Sequence, residues 1–423
     1  MDTASEHAEP LVQGVPAAGL SGRRRPIARR PATASARLWQ RAAAAAYSAR
    51  FAIGVYLATR VLLLLVALVN GTLRHHAFTH ELSQWDGLWY RMLAAHGYPM
   101  HVSHVQTTLG FFPVYPGIVW AVSHVFVFPV AHYEILSTAI AGVIVSGIGG
   151  LVATVLVQRL ATGWWGEHAG RKAVLIFCLF PGSVVFSMVY AEGILLALVA
   201  GCILALQERR WVLAGVLAGV ATATEPEAVV LVVVCAVSAA LELRRRGFAD
   251  RSARRSLIAP ALSVFGVGAF GGFLWIWTGS PFASLIAQRD GWSEKTDVFA
   301  LANLARTLAG EVSLSHFNHP TINLNLVVGL VGAVFLIVLL VLVARNRREM
   351  SVPAIVWTLG ISWLAMTSEY TPPNPRLLIT AFPAVIVLAR YVHGKWWTAL
   401  LCVNGAMLAG LSALTFVGTT LRP

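Results

Sequence analysis

The sequence predicts an all-α, polytopic membrane protein. Of its 423 residues, 57% are hydrophobic and only 12% are charged, and the mean hydropathy is +0.69. These are too few charges to cover the surface of a soluble globular protein. The net charge of +13 comes from short basic runs between apolar segments. Nucleic-acid binding needs basic residues on one water-exposed patch, so we attribute the charge to membrane topology and expect no nucleic-acid partner.

Residues 1–48 are predicted to be a disordered basic cytoplasmic tail. They are rich in Ala, Arg and Pro, include the run 23-RRRPIARR-30 and show no apolar periodicity. An Arg-rich amino terminus also resembles an organelle transit peptide, but Asp2, Glu6 and Glu9 argue against one. No short apolar segment with a cleavage site precedes the first span, which we expect to be an uncleaved anchor.

Hydropathy predicts the transmembrane domain over residues 49–423, with seven clear spans and three ambiguous segments. The clear spans are 49–70, 135–158, 256–278, 322–344, 352–368, 377–393 and 396–417. The segment 111–129 is nearly long enough to cross but contains three prolines. The segments 172–207 and 211–243 are each longer than one span and slightly short for two.

Positive charge decides the topology, because Lys and Arg in short loops remain on the cytoplasmic side. If 111–129 lies on the outer surface and both long segments are hairpins, 24 of the 32 Lys and Arg residues lie inside, 7 lie outside and Arg60 lies within the first span. If 111–129 crossed instead, the 16 inside charges beyond the tail would move outside. We therefore predict about eleven spans, with outer loops 71–134, carrying interfacial helices, and 279–321.

This topology puts the tips of both hairpins at the outer face. The tips are 190-YAEG-193 and 222-TATEPEA-228, and they carry Glu192, Glu225 and Glu227. Ionised groups near a membrane usually face water or a partner. We therefore predict a water-filled cavity that opens outward, covered by the outer connections.

The segment 84-QWDGLWYRMLAAHGYP-99 in the first outer loop contains one carboxylate among aromatic residues. Asp86 is placed to be the N-cap of a helix that Gly97 ends. A chemical role for Asp86 is the alternative, and the two are compatible. Asp86 and Tyr90, four residues apart, share one face of this helix, while Trp85, Trp89 and Met92 lie near another face.

Two further outer segments carry polar groups, 288-QRDGWSEK-295 and 368-SEYTPPNPR-376. Arg376 lies outside, against the charge rule. It is either an anchor in the lipid headgroups or a fixed cation for a lipid phosphate, which a guanidinium binds through two parallel hydrogen bonds.

Metal binding is not expected. The four cysteines lie in apolar runs without CxxC spacing, so neither disulfides nor a zinc site is predicted. Six of the thirteen histidines lie between residues 75 and 104, but only His76 and His80 have helical i, i+4 spacing. We therefore interpret them as loop histidines and predict no cofactor, with a divalent metal as the minor alternative.

Six stretches, in order, resemble the PIG-V-type mannosyltransferases, which are polytopic GT-C glycosyltransferases that use a polyprenyl-phosphate sugar. The stretches are 85-WDGLWY-90 with His96-Gly97-Tyr98, 111-FFPVYP-116, 180-FPGSVVFSMVYAEG-193, 219-GVATAT-224, 274-LWIWTGSPFASLIAQ-288 and 374-NPRLLITAFP-383. The resemblance implies a GT-C-like fold, a catalytic acid in the first outer loop, matched by Asp86, and a cavity lined by Tyr190 and Glu192. The chain departs from the family at Ala191, where Thr or Ser is usual, and at 225-EPEA-228, where an Arg and then a Gly are usual.

The leading hypothesis is therefore an inverting mannosyltransferase that acts at the outer face of the membrane. Asp86 would be the general base, and Arg376 would stabilise the departing lipid phosphate. The other predicted substrate-binding residues are Trp85, Trp89, Tyr90, Tyr115, Tyr190, Glu192, Glu225, Gln288 and Trp292. The acceptor would be a lipid or glycan, and composition suggests a bacterial plasma membrane. The alternatives are a transporter or lipid flippase, and a related enzyme for glucose or arabinose.

Overall fold

The computed structural model describes residues 34–125, 134–311, 323–369, 371–418 and 421–423. Within these ranges the chain is helical, and the one β feature is an isolated bridge between Thr296 and Ser368. Together with the apolar lengths given below, this confirms the predicted all-α polytopic class. By internal contacts the chain divides into two units, Met1–Tyr47 and Ser48–Pro423.

The described residues up to 246 form nine α-helices. They are α1 (Ala34–Arg74), α2 (Phe78–Glu81), α3 (Asp86–His96), α4 (Val114–Val125), α5 (Glu134–Trp165), α6 (Glu167–Leu179), α7 (Glu192–Gln207), α8 (Trp211–Thr222) and α9 (Val230–Arg246). Helix α1 begins within the predicted disordered tail, because the run of alanines at 42–46 has the highest helix propensity. Residues 1–33 of that tail lie outside the described ranges.

From residue 251 onward, eleven more α-helices lie in the part of the chain that the structure describes. They are α10 (Arg251–Arg254), α11 (Ile258–Ser263), α12 (Phe265–Thr278), α13 (Ala283–Ile286), α14 (Ala300–Glu311), α15 (Leu324–Arg345), α16 (Val352–Thr367), α17 (Pro375–Thr380), α18 (Phe382–Ile386), α19 (Leu388–Tyr391) and α20 (Lys395–Phe416). The predicted span 377–393 is wrong as a single helix. It is divided among α17, α18 and α19, since Pro383 lacks the N–H that a continuous helix needs.

Six described segments are long and apolar enough to cross a membrane. They are Ala49–Arg74, Thr138–Trp165, Pro226–Arg246, Arg251–Thr278, Leu324–Arg345 and Lys395–Phe416. Helix α6 and the 3₁₀ turn Pro181–Ser187 are together long and apolar enough for a seventh, but they are bent by 73°, as in a broken span or a re-entrant loop. Four shorter apolar helices, Glu192–Gln207, Trp211–Thr222, Val352–Thr367 and Phe382–Tyr391, overlap the remaining predicted spans. A multi-pass protein is thus confirmed, and eleven crossings stay a prediction.

The loop predicted to be the first outer one carries short helices, as expected. Helix α4 has 12 residues, or about 18 Å, which is well short of the roughly 30 Å of a bilayer core. It packs against α3 and α5. The short length of α4 therefore supports the prediction that segment 111–129 lies at the membrane surface and does not cross. Residues 126–133 lie outside the described ranges.

Helices α5 and α7 are in backbone contact through glycines. A Cβ on Gly149 would lie 2.5 Å from the carbonyl carbon of Gly193, and a Cβ on Gly193 would lie 2.3 Å from the backbone oxygen of Ser146. Small residues allow helices in membranes to approach this closely. The contact fixes the first turn of α7, where Glu192 begins the helix.

Arg60, inside the first span, stabilises the bend after α6. Its guanidinium donates hydrogen bonds to the backbone oxygens of Ser183 (2.5 Å) and Cys178 (3.3 Å) and to the hydroxyl oxygens of Ser183 (3.0 Å) and Ser187 (3.2 Å). The bend frees carbonyl groups that a continuous helix would satisfy, and such groups are tolerated at membrane depth only with protein partners. Arg60 supplies that partner.

We expect Arg60→Met to lower the melting temperature of the purified protein in detergent. The substitution removes the donors from several buried acceptors, and each unsatisfied acceptor costs about 1–3 kcal/mol. Arg159→Met is the matched control, since Arg159 is exposed on α5. Equal melting temperatures for Arg60→Met and the control would contradict this role of Arg60.

Candidate active site

The segment before Arg376 is held in place by three glycines on neighbouring elements. A Cβ on Gly182 would lie 2.0 Å from the backbone oxygen of Pro375, and one on Gly332 would lie 2.0 Å from that of Pro373. Gly329 similarly faces the ring of Pro372. The side chain of Asn374 then caps α17 by accepting a hydrogen bond from the backbone N–H of Leu377 (2.9 Å). The backbone at Arg376 is thereby fixed.

Arg376 joins two carboxylates from distant parts of the chain. Its Nε donates to Glu192 Oε1 and its Nη1 donates to Asp86 Oδ2. The guanidinium carbon lies 4.8 Å from the ring centroid of Tyr190. The Asp86 side chain is 26% exposed, Arg376 is 20% exposed and Glu192 is fully buried. Asp86 is therefore the accessible carboxylate of the pair.

Glu192 has one oxygen that the cluster does not satisfy. Its Oε2 is buried and has no hydrogen-bond partner among the described residues. A buried acceptor without a donor is costly in the folded protein.

Asp86 is not an N-cap, which corrects one interpretation of the sequence. The N-cap position is Trp85, Asp86 is the first residue of α3, and no side-chain capping bond forms. The carboxylate turns to Arg376 instead, while the backbone N–H of Asp86 donates to the Tyr190 hydroxyl (3.2 Å). Gly97 does end the helix, at φ 72° and with its N–H bonded to the oxygen of Leu93.

Trp85 has an unfavourable backbone conformation beside the acid. Its φ of 59° with ψ of −125° is one that residues with side chains rarely adopt. Its indole N–H donates to the backbone oxygen of Thr415 (3.1 Å), and the guanidinium carbon of Arg422 lies 6.0 Å from its ring centroid. These contacts place Trp85 as a support for Asp86.

Tyr90 and Glu225 form a second polar pair. The Tyr90 hydroxyl donates to Glu225 Oε1, and both residues are buried. Asp86 bonds to Arg376 and Tyr90 bonds to Glu225, so these two residues of α3 have different partners. Burial raises the pKa of the Glu225 carboxyl well above its ordinary value, and the neighbouring Glu227 and Glu192 charges raise it further.

Tyr115 and Tyr190 are fully buried. The Tyr115 hydroxyl donates to the backbone oxygen of Gly142 (3.0 Å) and lies 2.8 Å from the Ser146 hydroxyl. Ser146 in turn donates to the backbone oxygen of Tyr190 (2.7 Å). A fully buried ring has no face available to a sugar, so Tyr115 and Tyr190 contribute here through packing and hydrogen bonds. Ser146 was missed, because a serine in a span carries no sequence signal of this role.

Trp89, Phe111 and Trp292 form an aromatic cluster beside Tyr90. Ring centroids of Trp89 and Trp292 are 5.0 Å apart, and those of Phe111 and Trp292 are 5.5 Å apart. Gln288 donates to the backbone oxygen of Gly110 (2.9 Å). Gln288 and Trp292 thus connect the second outer loop to the first.

The second outer loop also contacts the segment before Arg376. Glu294 accepts hydrogen bonds from the hydroxyls of Thr371 (2.5 Å) and Ser368 (3.0 Å), and the backbone N–H of Asp297 donates to Thr367 (2.8 Å). The three connections that are predicted to lie outside are therefore joined to one another. The outward cavity beneath them stays a prediction.

Two of the six loop histidines pair with acids. His76 lies 3.1 Å from Glu81, a fully buried acid that sequence reasoning missed, and His104 lies 2.6 Å from Asp290. Asn70 also donates to Glu81 (3.0 Å). Over the described ranges, no group of three or more His, Cys, Asp or Glu side chains is arranged to hold a metal ion.

No protein-family model matches the chain, and no curated protein matches it. Its fold is similar to three solved structures among others. ArnT from Cupriavidus metallidurans bound to undecaprenyl phosphate has 17% identity and a TM-score of 0.49, covering 86% of this chain and 66% of ArnT. The apo oligosaccharyltransferase of Archaeoglobus fulgidus has 14% identity and a TM-score of 0.46, covering 84% and 56%.

The oligosaccharyltransferase AglB of Archaeoglobus fulgidus, in complex with an inhibitory peptide and a dolichol-phosphate, has 11% identity and a TM-score of 0.42, covering 85% and 56%. This chain therefore spans about two thirds or less of the length of these proteins. At such identities and TM-scores, the similarities assign no activity to it.

The buried Glu225, which pairs with Tyr90, predicts that the stability of the protein depends on pH. Because the pKa of Glu225 is raised, the folded protein retains a proton that the unfolded chain releases above the ordinary carboxyl pKa of 4.5. The stabilisation that comes from this retained proton is fully present below pH 4.5 and declines as the pH rises toward the raised pKa of Glu225. We expect Glu225→Gln to melt at a higher temperature than wild type at pH 8, with a smaller difference at pH 5.

Glu208→Gln is the control for this prediction, since the Glu208 side chain is 59% exposed. Its difference from wild type should be the same at both pH values. A Glu225→Gln difference that does not change between pH 5 and pH 8 would contradict a buried, proton-retaining Glu225.

Proposed function

We propose that this protein is a membrane glycosyltransferase that transfers a sugar from a polyprenyl-phosphate donor with inversion. The observation that carries the proposal is the Asp86 carboxylate, which is partly exposed and held by Arg376 beside the buried Glu192. The six family-like stretches favour mannose as the sugar. The proposed acceptor is a lipid or glycan at the outer face of a bacterial plasma membrane.

Asp86 is the general base in the proposed reaction. It takes the proton from the acceptor hydroxyl as that oxygen bonds to the anomeric carbon, while the bond from this carbon to the phosphate oxygen breaks and the lipid phosphate leaves. The hydroxyl becomes acidic only in the transition state, so positioning matters more than a matched ground-state pKa. The ion pair with Arg376 supplies that positioning. The donor is already activated, and the proposal includes no cofactor.

The role proposed for Arg376 differs from that of a simple phosphate cation. Two carboxylates already oppose its single charge, so the trio of Arg376, Asp86 and Glu192 carries a net negative charge when ionised. Within the described residues, its hydrogen bonds use Nε and Nη1. Arg376 is therefore first a positioning residue for Asp86, and Nη2 is the donor left for the leaving phosphate.

The sugar is tested by assaying the purified full chain with polyprenyl-phosphate mannose, glucose and arabinose and a membrane glycolipid fraction as acceptor. We expect labelled sugar transfer from the mannose donor, with an inverted anomeric configuration in the product. Transfer from another donor would change the sugar that we assign. Such a change would fit the departure at Glu225, where the resembling family usually has an Arg. No transfer from any donor, with lipid movement across reconstituted vesicles, would instead support a flippase.

A further inference from the structure

A basic cavity lies between the beginnings of α6 and α20, away from the Arg376 cluster. It has a volume of about 430 Å³, and its lining includes His168, Arg171, Lys172, Leu175, His393 and Trp397. Four of these side chains are basic, the indole of Trp397 adds a further N–H donor, and no acidic side chain lines the cavity. Such a cavity is suited to an anion with an attached apolar part.

Two helices place this cavity at the opposite membrane surface from the candidate active site. In α5, Ser146 bonds to Tyr190 of the site, and Trp165, which precedes the cavity, lies about 28 Å further along the helix. In α20, Trp397 lines the cavity, and Thr415, which bonds to Trp85, lies about 27 Å further along. Both lengths match the roughly 30 Å of a bilayer core.

The cavity has the components of a lipid headgroup site. Lys172 is buried, donates to the backbone oxygen of Val392 (2.7 Å) and lies 4.6 Å from the ring centroid of Trp397. Arg171 is exposed and lies 3.5 Å from Glu167, whose side chain is 73% exposed. Exposed ion pairs of this kind are weak, so Arg171 is available to an anion. Tryptophan and basic residues at headgroup depth bind anionic lipids.

We propose that this cavity binds the phosphate headgroup of an anionic phospholipid from the leaflet opposite the candidate active site. Arg171, Lys172 and His168 contact the phosphate, and Leu175 and Trp397 contact the apolar part of the lipid. A free phosphate ion has the same charged group but lacks the acyl chains. The two sources are therefore distinguishable by experiment.

The test measures the binding of short-chain phosphatidylglycerol to the full chain in neutral detergent by native mass spectrometry. Variants are His168→Gln/Arg171→Gln and, as control, Arg159→Gln, which removes an exposed charge of α5 outside the cavity. We expect the double variant to bind about fivefold more weakly, since one cation near an anionic lipid contributes about that factor. The control should bind as wild type does, and phosphatidylcholine should bind more weakly than phosphatidylglycerol.

Equal binding by wild type and the double variant would overturn the proposal, as would an equal loss in the control. Inorganic phosphate is the second probe. If it displaces phosphatidylglycerol at equal concentration, the cavity recognises soluble phosphate and the lipid assignment is wrong. Lys172→Met tests the buried cation separately. If this variant binds phosphatidylglycerol more weakly than wild type does, its melting temperature shows whether the lost hydrogen bond to Val392 has destabilised the protein and so accounts for the weaker binding.

Discussion

Asp86→Asn is expected to reduce the rate of sugar transfer by about 10²–10⁴, the usual contribution of a general base. Asparagine has nearly the same shape and can still accept a hydrogen bond from Arg376, but it cannot take a proton from the acceptor hydroxyl. The fold should therefore persist while the chemical step is lost. The measurement is the initial rate with the donor that the panel identifies, together with the melting temperature.

Asp290→Asn is the matched control for Asp86→Asn. Asp290 lies in the second of the predicted outer loops, where it pairs with His104 and Arg289. We expect this variant to transfer sugar at close to the wild-type rate. Transfer by Asp86→Asn at the wild-type rate would show that Asp86 is not the base, even if the protein proves to be a glycosyltransferase.

Arg376→Gln is expected to lower both the stability and the transfer rate. The substitution leaves the fully buried Glu192 and the partly exposed Asp86 without their counter-charge. Removing one partner of a buried ion pair typically costs about 3–5 kcal/mol in the free energy of unfolding. The rate falls as well, because Asp86 loses the group that orients it.

The double variant Arg376→Gln/Glu192→Gln separates these two effects. Neutralising Glu192 removes the buried, unpaired charge, so the melting temperature should recover toward that of wild type. The transfer rate should not recover, since Asp86 still lacks its cation. A double variant that is no more stable than Arg376→Gln alone would show that the ion pair with Glu192 is not what Arg376 contributes to stability.

The pairing of Arg376 illustrates the limit of sequence reasoning at the site. The sequence places Arg376 outside against the charge rule and leaves two roles open, an anchor and a phosphate cation. The structure shows a third arrangement, with two carboxylates as its partners. Asp86 and Arg376 are 290 residues apart in the chain. No local pattern predicts such a contact, because it depends on how the helices pack.

Asp86 shows the same limit at short range. The motif for an N-cap is present, yet the cap position is Trp85, and the carboxylate points to Arg376. A capping bond and an ion pair compete for one side chain, and the tertiary structure decides between them. Tyr115 is similar, since aromatic character suggests a sugar contact but complete burial prevents one.

By itself, the sequence determined that the protein is helical and crosses a membrane repeatedly, because hydropathy and charge act on each segment independently of the others. It also identified most residues of the candidate site, since a lone acid, a misplaced Arg and hairpin glutamates are unusual in apolar surroundings. Only the tertiary structure decided their partners. Ion pairs such as Arg376 with Asp86 and Glu192 form between distant segments, and the glycine contacts of α5 with α7 and of the 372–375 segment set those distances.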